Sequence, residues 1–224
     1  MNEEQIKQRY SRQRDIVPAE RLAGCKAAVI GVGAIGRQVA LQLTAMGIWW
    51  LELVDPDTVD ASNLASQGYL EADLGKFKVD TTAELCSKIN ADLELDLIPE
   101  RFRRSRETGN VVFCAVDAIS TRRLIWEAVK DKAGFFADAR MSAEVLRILT
   151  ACDFESRKHY PTTLFSPEEA FQGPCTAKTT IYCANIAAGL MIAQFTRYLR
   201  HLPVDCDIQL NLLTSELSVV EACR

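Results

Sequence analysis

The 224-residue chain predicts an α/β fold: a doubly wound, largely parallel sheet with a C-terminal antiparallel extension. Three observations carry that prediction. Short apolar runs of strand type alternate with helix-period segments through most of the chain. A glycine turn, Gly31-Val32-Gly33-Ala34-Ile35-Gly36, joins the first such strand to the first long helix. Two further strand-like segments, a terminal β pair, close the chain.

Residues 2–14 are charged with few apolar positions and read as an arm or a short helix. Residues 26–31 form a buried strand carried by Ala27, Ala28, Val29 and Ile30. After the glycine turn, residues 35–46 are a helix, closed by Gly47 where a left-handed residue ends a helix well. Residues 49–54 make the second strand, ending at Asp55. Residues 57–75 are polar and rich in turn formers, which predicts a long loop over the sheet edge. Residues 78–90 fit a helix with Val79, Ala83, Leu85, Cys86 and Ile89 as its apolar positions. Residues 93–98 alternate apolar and acidic side chains, as a strand with one wet face does.

Residues 111–116 are a buried strand ending at Asp117. A helix over 121–132, a short strand over 134–137 and a strand over 145–152 follow. Residues 156–178 hold three prolines and little periodicity, so they predict a loop crossing the surface. Residues 179–202 are the longest helical segment, rich in Ala, Ile, Leu and Met. Residues 207–213 and 217–220 are the terminal β pair. No repeat, low-complexity tract or linker interrupts the series, so residues 1–224 are expected to be a single domain, with 1–14 an N-terminal arm.

Hydrophobic residues make up 48% and charged residues 25%, an ordinary soluble composition with enough chain for one α/β core. A net charge of −4 gives no electrostatic footprint for nucleic acid. No apolar run approaches the roughly 20 residues of a membrane span, and the polar N-terminus is unlike a signal peptide. The eight cysteines, Cys25, Cys86, Cys114, Cys152, Cys175, Cys183, Cys206 and Cys223, are scattered and form no C-x-x-C pair, so no zinc is expected. With His159 and His201 the only histidines, a histidine-based metal site is not expected either. Free thiols in a reducing, cytoplasmic setting are the simplest expectation.

The glycines let backbone approach a phosphate or ribose closely, in the manner of a Rossmann-like site. Asp55 lies about 20 residues past them, where a ribose-binding acid belongs. To this point an NAD-dependent oxidoreductase fits as well as an ATP enzyme, and a tight turn with no ligand fits too. Asp117 sits at the carboxyl end of a strand, where such sheets place ligands, with helix capping as the alternative role.

Four motifs in fixed order narrow the choice: Arg9-Tyr10-Ser11-Arg12-Gln13; the glycine turn; Asp55-Pro56-Asp57 running on to Ser62-Asn63-Leu64; and Gly75-Lys76-Phe77-Lys78. Over roughly residues 8–140 this series resembles the ThiF/MoeB superfamily, the bacterial relatives of ubiquitin-activating enzymes. The resemblance implies an ATP-dependent adenylyltransferase that activates the C-terminal carboxylate of a ubiquitin-like or sulfur-carrier protein. It implies nucleotide contacts from Gly31, Gly33, Gly36, Asp55, Asp57, Asn63, Gln67, Lys76 and Arg122. It gives Lys78 to the phosphates and Asp117 to their Mg²⁺. Arg12 would reach the nucleotide of a neighbouring subunit, which implies a homodimer. Cys175, in the crossover loop over 156–178, falls where many members carry a thioester-forming cysteine; nearby Lys178 would favour its thiolate. Cys114 and Cys183 read as packing residues.

Two positions depart from the pattern. Ser66 stands where the family has a phosphate-binding arginine, with Lys76 and Arg140 as candidate substitutes, and Ala118 stands where it has asparagine. These departures keep open a non-catalytic scaffold of the same fold, beside the oxidoreductase alternative.

Overall fold

The computed structural model describes residues 2–165 and 180–220. Two short helices, α1 (Glu3–Arg9) and α2 (Ala19–Ala23), precede β1 (Ala27–Ile30). The chain then runs through α3 (Ala34–Met46), β2 (Trp50–Val54), α4 (Ala61–Gln67), α5 (Lys78–Ile89), β3 (Glu94–Ile98), β4 (Val111–Cys114) and α6 (Ile119–Val129). It finishes with β5 (Phe135–Ser142), β6 (Val145–Ala151), α7 (Phe154–His159), α8 (Ile181–Leu199), β7 (Asp207–Asn211) and β8 (Glu216–Val219).

All eight strands form one sheet in the order β3-β2-β1-β4-β5-β6-β7-β8. Pairings from β3 through β5 are parallel, and those from β5 through β8 are antiparallel. The expected doubly wound sheet with an antiparallel extension is thus the observed one. The winding reverses between β1 and β4: β1 leads outward to β2, and β4 leads the other way to β5.

Strand alternation sends successive side chains to opposite faces. Phe135 joins Phe113 and Phe195 on one face. Its neighbour Phe136 joins Trp126 and Tyr160 on the other. Under the first face lies the larger core, which α3, α5 and α8 cover with Val39, Leu43, Val79, Ala184, Ala187 and Met191. The second core is closed by α6 and the segment around Tyr160. Small side chains at Ala184, Ala187 and Ala188 are wholly buried and bring α8 close to its neighbours. Cys114 and Cys183 are buried, as expected of packing residues.

The structure corrects several boundaries. Residues 57–75 are not a continuous loop, because they contain α4. Asp60 accepts from Ser62 N while Asn63 Oδ1 accepts from Asp60 N, a reciprocal cap. Gly68, left-handed at φ 72°, ends that helix. In the same way Asp153 caps α7 by accepting from Ser156 N, and that helix runs on into the start of the predicted surface loop. β5 is eight residues long, because beyond its pairing with β4 it continues against β6 as far as Ser142. Cys25, Cys86, Cys114, Cys152 and Cys183 are free. Cys206 is disulfide-bonded, so the expectation of free thiols throughout does not hold there. Among the described residues no helix is long and apolar enough to cross a membrane.

Candidate functional site

The winding reverses between β1 and β4, and at the carboxyl ends of these strands sheets of this kind place their ligand crevice. Gly31 leaves β1 at φ 89°, its N–H donating to Val54 O at 2.8 Å. A Cβ on Gly31 would lie 2.8 Å from the carbonyl carbon and oxygen of Ala115. The turn is therefore pressed against the chain that leaves β4 for Asp117. A Cβ on Gly36 would overlap Gly31 O, so the first turn of α3 closes directly over the glycine run. Gly33 is the N-cap of α3 and makes no side-chain cap. No side chain caps the first-turn N–H groups, and an uncapped helix N-terminus favours an anion.

Asp55 ties the second strand to this turn. Its buried carboxylate accepts from Val32 N at 2.6 Å and from Asp57 N at 2.9 Å. Burial pushes this carboxyl up, and the two backbone donors and Lys78 act against that push. Asp57 is the exposed acid of the pair. Lys78, first residue of α5 and itself buried, donates from Nζ to Asp57 Oδ2 at 3.0 Å and from its N–H to Asp57 O at 2.9 Å. Lys76 is exposed, and its backbone O accepts from Val59 N.

From α4, Asn63 serves the cap described above. The Gln67 side chain lies over Gly33, its Oε1 at 3.8 Å from where a Cβ would stand. That oxygen is buried and has no partner. Ser66 turns its hydroxyl to Ser62 O at 3.0 Å.

Asp117 is exposed just past β4, with Oδ1 accepting from Ala118 N at 2.7 Å. The cap of α6 is Ala118, not Asp117, so the capping role set against a ligand role does not hold. Among the described residues no group of three or more His, Cys, Asp or Glu side chains is placed to hold a metal. One exposed carboxylate fits a Mg²⁺ that arrives on nucleotide phosphates, since that ion commonly takes one or two protein carboxylates and keeps the phosphates as its other ligands.

Two expected cations are engaged elsewhere. Arg122, only 4% exposed, forms an ion pair with the fully buried Asp138 on β5. Arg140 donates Nε to Asp138 Oδ2 at 3.0 Å and Nη1 to Thr163 O at 2.7 Å. Tyr160 Oη adds a third bond to Asp138 at 3.0 Å. Arg122 and Arg140 thus brace β5 against α6 and the Tyr160 segment.

Arg12 is exposed on the short 3-10 turn that follows α1. Its neighbours lock that turn to the far end of α3: Gln13 Nε2 donates to Met46 O at 2.7 Å, and the Tyr10 ring fills the space beside Gly47. The 13 residues of α3 separate this end from Gly33, a span of roughly 20 Å at 1.5 Å per residue. Arg12 does not share a site with Gly31 and Asp117 within one chain. Cys175 and Lys178 lie outside the described residues.

Sequence reasoning missed two buried charged residues. Asp138 gave no signal, because its meaning depends on partners from α6 and from the segment after α7. Arg37 gave a faint one: it directly follows Gly36 and is the one charged residue of α3.

Residues 8–214 match the ThiF family profile. The adenylyltransferase and sulfurtransferase uba4 of Aspergillus clavatus is 32% identical over 151 residues, which are 62% of this chain and 30% of that protein. The chain therefore spans less than a third of the length of this curated relative. The crystal structure of PaaA superposes with a TM-score of 0.81 at 20% identity, covering 100% of this chain and 75% of that one. Escherichia coli MccB with AMPCPP and MccA superposes at 0.77 with 19% identity, and MccB with ATP at 0.74 with 18%. Each MccB superposition covers 96% of this chain and 72% of MccB. At these identities the two structural likenesses speak for the fold.

Proposed function

We propose that this chain, which belongs to the ThiF family, uses ATP to adenylate the C-terminal carboxylate of a small ubiquitin-like or sulfur-carrier protein. The observation that carries the reading is the meeting of three elements at the reversal point: the uncapped N-terminus of α3, the Lys78–Asp57 pair and the exposed Asp117. The name of uba4, an adenylyltransferase and sulfurtransferase, and the ATP and AMPCPP complexes of MccB support it.

In this reading the carboxylate oxygen attacks the α-phosphorus of ATP. The bond from that phosphorus to its bridging oxygen breaks, and pyrophosphate leaves with the electron pair. The protein's share is orientation and charge stabilisation. The α3 N–H groups and Lys78 hold the phosphates, and the ribose lies toward the exposed Asp57 rather than Asp55, whose carboxylate is spent on Val32 N and Asp57 N. Asp117 would hold Mg²⁺, which when bound neutralises phosphate charge. Arg12 would be delivered from a second copy, making the working unit a homodimer in the cytoplasm. Cys175 would then take the activated acyl group as a thioester, releasing AMP.

Calorimetry and pyrophosphate exchange test the proposal. ATP should bind more tightly than NAD or NADP and lose affinity when Mg²⁺ is chelated. Exchange should need a carrier with a free C-terminal tail. Equal or better affinity for NAD would sink the reading. A dithiothreitol-cleavable adduct with the carrier should form in the wild type and vanish in Cys175→Ala, with exchange retained. One observation favours a second reading, a nucleotide-binding scaffold without transfer: Ser66 brings no cation to α4, and Arg122 and Arg140 are bound to Asp138. ATP binding without exchange for any carrier is its signature.

A further inference from the structure

Arg37 is only 4% exposed, yet among the described residues its guanidinium makes no hydrogen bond and no ion pair. Its Nε is sealed from solvent without a partner, and its close companion is the Tyr69 ring, with Cζ 4.8 Å from the centroid. Burial of an unpaired charge is costly, and a counter-charge brought by a ligand would offset that cost. Asp73, the carboxylate whose charge acts on it, spends Oδ2 on Leu70 N at 3.0 Å. The influence of Asp73 and Tyr69 does not undo the lowering that burial imposes on this guanidinium.

The position is specific. Arg37 is the fourth residue of α3, and its N–H donates to Gly33 O at 3.1 Å. Tyr69, under the guanidinium, donates its hydroxyl to Val32 O at 2.5 Å inside the glycine turn. Nη1 comes within 3.4 Å of where a Cβ on Gly68 would stand, so the guanidinium reaches the backbone that follows Gln67. Gln67 in turn holds its unpartnered buried Oε1 over Gly33. Among the described residues an unpaired cation therefore lies beside the end of α3 that already favours anions.

We propose that Arg37 is a phosphate-binding residue of the nucleotide crevice, supplying from α3 the guanidinium that α4, with Ser66, does not. The proposal rests on the nucleotide reading above. Guanidinium-to-phosphate bonds are charge-assisted and directional, so the matching ligand is a nucleoside polyphosphate rather than a nucleoside.

Calorimetry on the full chain with ATP and with adenosine tests it, using the wild type, Arg37→Gln, Arg37→Lys, and Arg37→Gln combined with Ser66→Arg. Arg37→Gln should weaken ATP about 10- to 100-fold, the range for a lost bond to a charged group, and leave adenosine unchanged. Ser66→Arg, returning a cation from the facing helix, should recover at least about tenfold of that loss. A prop for α4 would not be rescued in this way. Should Arg37→Gln fail to fold, Arg37→Lys, checked by its melting curve, gives the same comparison of ATP with adenosine. Unchanged ATP affinity, or equal losses for ATP and adenosine, would overturn the role of Arg37 alone. Absence of ATP binding in the wild type would overturn it together with the nucleotide reading.

Discussion

Asp117, the carboxylate that the proposed mechanism gives to Mg²⁺, does little for the fold. It is exposed, caps no helix, and makes one bond to the next residue's N–H. Asp117→Ala should leave the melting curve nearly unchanged while lowering pyrophosphate exchange at least about 100-fold, the scale of a lost electrostatic contribution to the transition state. Melting with normal activity per folded molecule would make it a structural residue. Such residues are legible in the sequence because local chain order places them: a strand end fixes Asp117, and a turn fixes Gly31 and Gly36. Asp138 is opaque for the opposite reason. Arg122, Arg140, Tyr160 and Asp138 mean something only after β5 has met α6, and no local pattern carries that contact.

At the scale of elements, the central strands and the long helices followed from periodicity because they bury a repeating apolar face. The helices α4 and α7 escaped because polar caps hold them and no apolar stripe marks them; of α4 only Asn63 is buried. The antiparallel extension is fastened by another polar device. Asp207 on β7 accepts two bonds from Arg147 on β6, at 2.9 and 2.6 Å, and one from His159 at the end of α7, at 2.9 Å. Burial pushes the Asp207 carboxyl up, but those donors outweigh burial and hold it below its usual value of 3.8. An acid depressed on folding stabilises fully above its unfolded pKa and loses that contribution as pH falls through the folded one. Urea midpoints of the wild type should therefore fall as pH drops below about 4. Asp207→Asn should be less stable at pH 7, with its deficit shrinking across that acidic window. A deficit constant from pH 7 to pH 2.5 would mean that ionisation of Asp207 contributes nothing.

For the whole molecule, the separation of Arg12 from the crevice by the length of α3 has a functional corollary. If each site takes its arginine from the other copy, Arg12→Ala and Asp117→Ala are each inactive alone and partly active once subunits have exchanged, since one site of the mixed dimer is then intact. Proven exchange without recovery would remove Arg12 from the chemistry. The pairing of β1 with β4 bears on a different property, the order of events in time. It joins Ala27 to Val111, and Lys26 N donates to Asn110 Oδ1 across 84 positions of chain. A loop of that length must close before Gly31 has a wall to press against, and such long-range closure comes at an entropic disadvantage. The crevice is therefore expected to be completed late in folding, so that nucleotide gains its hold only near the native state. Saturating ATP should slow unfolding while leaving the refolding rate where it was, so the ligand acts on the lifetime of the finished molecule and not on its making.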